Sequence, residues 1–244
     1  LGGDDKARAH DDDRITAMPA APYVTDETFR DWTNSVELPG AEQMQAALNI
    51  GADIVIAGRT TDTASNEALP LQQGNHEGGA WHGAKIGECG ALCATDPQSG
   101  VILIDFDDTG FTVTPLADGV QATPYTVSAH MLYENSDPFV LFEPGGHLDV
   151  THARYMPVND TTVRVEGSNW VVSDRYTVKL EGARIAGYQT VSIATLRDPR
   201  YVAHAADWIA DIQTRHAAKV LARTGLGPDD YTLEMRQIGV NATL

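Results

Sequence analysis

The stretch GAEQMQAALNIGADIVIAGRTTDTASNEAL, residues 40–69, decides how the fold is read. Met44, Ala47 and Leu48 recur at the spacing that lines one face of a helix. Gly51 follows as a stop, because glycine enters the left-handed backbone region that ends helices without a steric penalty. Residues 53–57, DIVIA, then form a short apolar, β-branched run of the kind found in strands buried on both faces. Helix, glycine and buried strand in so short a span are the repeating unit of α/β folds. The expectation is therefore a mixed α/β architecture, with helix–strand units around a largely parallel sheet. Asp62 or Thr63 is placed to cap a following helix.

Upstream, residues 1–40 are polar and punctuated by Pro19, Pro22 and Pro39. They read mostly as loop, with a solvated run at Asp11, Asp12 and Asp13 and one short helix near 27–34. Asp4 and Asp5, after Gly2 and Gly3, read as a strand-to-loop transition. Downstream, WHGAKIGECGALCA (residues 81–94) reads as a glycine-rich helix packed tightly against a neighbour. Residues 101–106 and 111–115 are hairpin strands joined by Asp107-Asp108-Thr109-Gly110. Residues 128–133 read as helix, and residues 147–195 are strand-rich, with alternation at 162–165 and 176–180. Asp198-Pro199 opens the strongest helix, about 200–224, with Val202, Ala205, Ile209, Ile212 and Val220 along one side and Gly225 as its stop. A last strand is expected at 231–240. Two lobes follow: an α/β lobe over 1–125 carrying the ligand edge, and a strand-rich α+β lobe over 126–244.

The 244 residues carry 34 acidic against 17 basic side chains, a formal net charge of −17. A field of that sign repels nucleic-acid backbones and anionic lipid, so neither is an expected partner. A small anionic substrate remains compatible if a local cationic pocket receives it. The acid is mostly Asp, 23 residues against 11 Glu, and only 4 of the basic residues are Lys. Surface adaptation to salt and a GC-rich genome both account for that composition. No run approaches the about 18 apolar residues of a membrane span, and no basic, apolar leader opens the chain. Two cysteines four residues apart imply no disulfide framework, and a cytoplasmic protein with reduced thiols is expected.

Arg59 and Asp62 fall at the carboxyl end of the expected strand, the edge where open α/β sheets bind ligands. Arg59 offers a bidentate fork for a carboxylate or phosphate, with Thr60 beside it, and Asp62 is able to orient it or a substrate hydroxyl. A surface pair with a helix cap is the alternative. Glu88, within Gly87-Glu88-Cys89-Gly90, would be desolvated in a tightly packed helix and so suited to moving a proton. Cys89 is a candidate nucleophile, with buried inert thiols as the alternative for Cys89 and Cys93. His147, Asp149 and His152 form an H-x-D-x2-H pattern whose two imidazoles and one carboxylate suit an open metal site. Glu134, near Asp137-Pro138, and Asp5 are further acids at element ends. No GxGxxG, P-loop or GxSxG pattern is present.

Three stretches in order, GADIVIAGRTTDTA (51–64), GAKIGECGALCAT (83–95) and TVSAHMLYENSDP (126–138), resemble the acyclic terpene utilisation family. GGDD (2–5) resembles that family's strand-end GDD, and IGVNA near the end resembles one of its strands. Matched positions are Arg59, Asp62, Glu88, Cys89, Glu134 and Asp137, with Asp4 and Asp5 from the GDD segment. The sequence departs where Leu92 replaces a glutamine, where a following glycine pair is lost, and where Ala64 replaces a serine. Family members are longer at both ends, so the resemblance implies a central portion of such a protein. It also implies catabolism of citronellol- or geraniol-like acids through acyl-CoA intermediates. The expected activity is that of a hydro-lyase or hydrolase on a branched carboxylate or its thioester. Coenzyme A would enter as part of the substrate, a divalent metal is compatible, and no other cofactor is implied. The alternatives are a non-catalytic accessory subunit of an acyl-CoA-processing complex, and a metal-dependent enzyme using His147, Asp149 and His152. A homo-oligomer, or a partnership with a related catabolic subunit, is expected.

Overall fold

The computed structural model describes residues 3–12, 14–18 and 24–239. The chain divides into two compact units, residues 1–186 and 187–244.

The first unit begins with helices α1 (Gly3–Asp11) and α2 (Asp26–Asp31), strand β1 (Asn34–Leu38) and helices α3 (Glu42–Asn49), α4 (Asp62–Gln72) and α5 (Glu77–Gly87). A 3-10 turn (Gly90–Cys93) leads to strands β2 (Ile102–Phe106) and β3 (Gly110–Pro115), then helix α6 (Pro124–His130). Strands β4 (Val140–Glu143), β5 (Gly146–Asp149), β6 (Arg154–Pro157), β7 (Val163–Glu166), β8 (Asn169–Val172) and β9 (Lys179–Ala183) complete it. The strands form three sheets, ordered β2-β3-β7-β6, β4-β5-β8 and β1-β9.

Every strand pair is antiparallel, which corrects the expected largely parallel sheet. The reason lies in the connections. Parallel neighbours need a long crossover, whereas β2–β3 and β4–β5 are joined by tight turns. Asp107 Oδ1 accepts the backbone N–H groups of Thr109 (2.9 Å) and Gly110 (3.0 Å), closing the hairpin expected at 107–110.

The decisive stretch folds only in part as read. Helix α3 forms, and Gly51 takes φ +84° after it, as its role as a stop requires. Residues 53–57, expected as a buried strand, are an exposed segment without regular structure, with Ile54 81% and Ile56 92% exposed. A β-branched run becomes a strand only where a neighbour supplies ladder hydrogen bonds. Among the described residues no strand pairs with it. Helix α4 is capped by Thr61, whose Oγ1 accepts the Ala64 N–H at 3.2 Å, rather than by Asp62 or Thr63.

The glycine-rich stretch does form a tightly packed helix. A Cβ on Gly78 would lie 2.4 Å from the Ser168 carbonyl oxygen, and one on Gly83 would lie 2.4 Å from the Phe106 ring. Helix α5 therefore sits against sheet backbone where any side chain would hold it off. Its Trp81 stacks on Trp170 at 4.0 Å and joins a core of Ile86, Phe111, Val127, Leu148 and Val165. His82, fully buried, contacts Ser168 Oγ through Nδ1 (2.7 Å) and the Tyr155 hydroxyl through Nε2 (3.3 Å). Its burial lowers its pKa to about 3, so it is a neutral core histidine.

The second unit holds helices α7 (Pro199–Ala203) and α8 (Ala205–Thr224), split at His204, whose φ of −120° leaves helical geometry. Asp198 caps the start, accepting the Arg200 N–H at 2.9 Å, and Gly225 at φ +77° ends it. Ala205, Ile209, Ile212 and Val220 are half-buried, while Val202 is exposed. The strand expected at 231–240 is irregular chain over 231–237. Among the described residues, no helix is long and apolar enough to cross a membrane.

Candidate functional site

The sequence-derived candidates separate into different neighbourhoods. Asp5 lies in helix α1, not at a strand end, and is ion-paired with the exposed Arg8. Arg59 donates from Nε (3.3 Å) and Nη2 (2.9 Å) to Glu181 of β9, forming an exposed pair. Thr60 Oγ1 donates to the Pro39 carbonyl at 2.7 Å. Asp62 opens α4 with its carboxylate exposed. The expected partnership of Arg59 with Asp62 does not form, because the strand meant to present them does not form.

Glu88 is where the chemistry gathers. It caps α5, and the helical spacing of three residues brings it to Lys85, with which it forms a buried ion pair. Thr63 Oγ1, on the buried face of α4, donates to Glu88 Oε2 at 3.1 Å. Next to Glu88, Cys89 is half-buried and hydrogen-bonds the Tyr133 hydroxyl, while Cys93 is fully buried with its thiol pushed up to about 12 by desolvation. Both thiols are free.

His130, at the end of α6, is a residue that sequence reading missed. It is 3% exposed, and neither ring nitrogen makes a hydrogen bond of ordinary geometry, although the Lys85 backbone is close enough to act on the ring. Burial, and then the Lys85 charge, lower its pKa to about 4, so the imidazole is neutral near pH 7. It lines a pocket of about 340 Å³ with Leu92, Tyr125, Thr126, Ala129 and Tyr133. Contact with Cys89 and then Glu134 pushes the Tyr133 phenol up to about 12, so it keeps its proton. Glu134 is exposed and is the described non-glycine residue with a positive φ, 55°. Asp137 is structural: its Oδ1 accepts the N–H groups of Phe139 (2.7 Å) and Val140 (3.1 Å), opening β4. The available signal for His130 was its place in 126–138, one turn ahead of Tyr133-Glu134.

Glu67 was missed as well. It lies four residues after Thr63 on the inner face of α4, between the buried Ala64 and Ala68, and is itself fully buried. Neither of its oxygens has a hydrogen-bond partner. Desolvation first, and then the charges of Glu143, Glu42 and Glu77, raise its pKa to about 10. Burial also raises that of Glu143, whose carboxyl the Thr61 and Thr63 hydroxyls face.

His147 and His152 lie near enough to Asp149 to help hold its carboxyl below the usual range, behind the stronger effect of Thr151. The Thr151 N–H donates to Asp149 Oδ1 at 2.8 Å, and the His147 ring lies 5.4 Å from that of Phe142. The three do not close into a metal-sized cluster. Among the described residues, His10, Asp11 and Asp26 bring three ligand atoms within 4.8 Å of one another, beside a surface hollow of about 620 Å³. Two helices supply them, with His10 Nδ1 3.2 Å from Asp26 Oδ1. One imidazole and two carboxylates are a donor set that a divalent metal accepts.

Comparison with family models, curated proteins and solved structures finds no match to this chain.

Proposed function

We propose that this chain is an enzyme, or part of one, acting as a hydro-lyase or hydrolase on a branched carboxylic acid or its coenzyme A thioester. The resemblance to the acyclic terpene utilisation family supplies the substrate class, as a proposal. The observation that carries the chemistry is His130: a buried, neutral imidazole lining a largely apolar pocket beside a phenol that keeps its proton.

In this reading Leu92, Ala129 and the ring of Tyr125 receive the branched hydrocarbon. His130 takes a proton from water or from the carbon next to the carbonyl, and Tyr133 returns one. A positioned proton donor or acceptor contributes about 10²–10⁴-fold. Glu88 then acts by position: it holds Lys85, whose charge adds to burial in keeping His130 neutral. Arg59 is paired with Glu181 on the surface, and this reading gives it no part in the proton transfer. The net charge of −17 disfavours nucleic acid as a partner, and the two free thiols fit a reducing cytoplasm.

The test is hydration and hydrolysis of a panel of branched enoyl-CoA thioesters. His130→Gln is expected to lower kcat by about 10²-fold or more. Glu88→Gln is expected to shift the pH profile as well as the rate. Undiminished turnover in both His130→Gln and Tyr133→Phe would overturn the assignment.

A further inference from the structure

Carboxyl groups from three other elements act on Glu67 of α4 through their charge: Glu143 at the end of β4, Glu42 at the start of α3 and Glu77 at the start of α5. Glu42 and Glu77 are exposed and keep their hydration. Glu67 is 0% exposed, with Oε1 and Oε2 both lacking partners, and Glu143 Oε2 is buried and unpartnered too. Three buried carboxylate oxygens without a donor are an expensive arrangement, since each gives up its water and gains nothing in return. Of the nearby cations, Lys85 is bound to Glu88. Lys179 reaches Glu143 as a charge only.

We propose that Glu67 and Glu143 together hold a hard divalent cation of the Mn²⁺ or Ca²⁺ type, with the Thr61 and Thr63 hydroxyls completing the oxygen shell. The donor set is all oxygen, which suits hard cations and not thiolate- or imidazole-seeking ones. Thr61 already turns its oxygen to the Ala64 N–H and Thr63 to Glu88, so both hydroxyls are held in place. The burial of Glu67 favours an ion that sheds its water readily, hence Ca²⁺ or Mn²⁺ over Mg²⁺. One ion would neutralise both carboxylates, whereas a proton on Glu67 alone leaves Glu143 facing the Glu88 charge. The two Thr positions come from the cap of α4 and the Glu pair from α4 and β4, so the site exists only in the folded chain.

Binding of Mn²⁺ to the full chain, followed by electron paramagnetic resonance and by calorimetry in buffers of different ionisation enthalpy, tests this. The expected result is a tight Mn²⁺ site, with about one proton released on binding near pH 7 because Glu67 is protonated without the ion. Glu67→Gln and Glu143→Gln are each expected to weaken it at least tenfold, while Asp26→Asn leaves it unchanged. Both Gln variants are near-isosteric, and circular dichroism checks their folding. Loss of the site in Asp26→Asn with retention in Glu67→Gln would place the ion at His10, Asp11 and Asp26 and overturn the proposal. So would a protonated-carboxyl infrared band of Glu67 that persists at saturating Mn²⁺, which would show that a proton alone occupies the position.

Discussion

Single residues carry the pH dependence. His82 and His130 titrate near 3 and near 4 in the folded protein, against an ordinary 6.5. Between about pH 4 and 6.5 the unfolded chain therefore binds more protons than the folded one, and stability is lost as pH falls through that window. Glu67 acts in the opposite sense: its carboxyl, ordinarily near 4.5, holds its proton up to about 10. Across that range the folded state binds the extra proton, and stability is lost as pH rises. Urea melts in metal-free buffer are expected to show both limbs, the acid one flattened in His130→Asn and the alkaline one in Glu67→Gln. Limbs identical to the parent's would refute these assignments. The Lys85–Glu88 pair sets a second expectation. Lys85→Met strands the Glu88 carboxylate in a buried site and is expected to cost about 3–5 kcal/mol. Lys85→Met combined with Glu88→Leu should recover most of that loss in the same melts. Of this chemistry, Glu88 was legible in the sequence because a carboxylate in a Gly/Ala helix must be desolvated. His130 and Glu67 were not, because a lone His or Glu carries no mark of the neighbours that will bury it.

At the scale of elements, α5 shows what small residues do. Gly78 and Gly83 let its backbone meet the Ser168 carbonyl and the Phe106 ring, and the stack of Trp81 on Trp170 depends on that approach. Alanine favours an isolated helix by about 1 kcal/mol over glycine. Here the added methyl must displace backbone, which costs about 1–3 kcal/mol. Gly78→Ala is expected to lower the melting temperature, and an unchanged or raised value would show that the contact is looser than described. This helix and the β2–β3 hairpin were readable in advance, since glycine spacing and an Asp-x-x-Gly turn act locally. The run DIVIA was misread because its composition shows only that a strand is possible. Whether it becomes one depends on a neighbouring strand pairing with it, and among the described residues none does.

For the molecule as a whole, the −17 charge acts as a field. Self-repulsion among exposed carboxylates opposes compaction, and salt screens it as the Debye length falls from about 10 Å at 0.1 M to about 3 Å at 1 M. The melting temperature is expected to climb between 0.05 and 1 M KCl; a flat or falling curve would show that the acids are locally compensated. The sequence by itself determined the field, the hairpin, the glycine-rich helix and the glycine stops at 51 and 225, because composition, turn chemistry and backbone preference act over a few residues. Only the tertiary structure decided the antiparallel pairing, the commitment of Arg59 to Glu181, and the burial of His130 and of Glu67 with Glu143. Each of those depends on groups far apart in the chain meeting out of water, where an unpaired charge or an unfilled hydrogen bond first becomes costly.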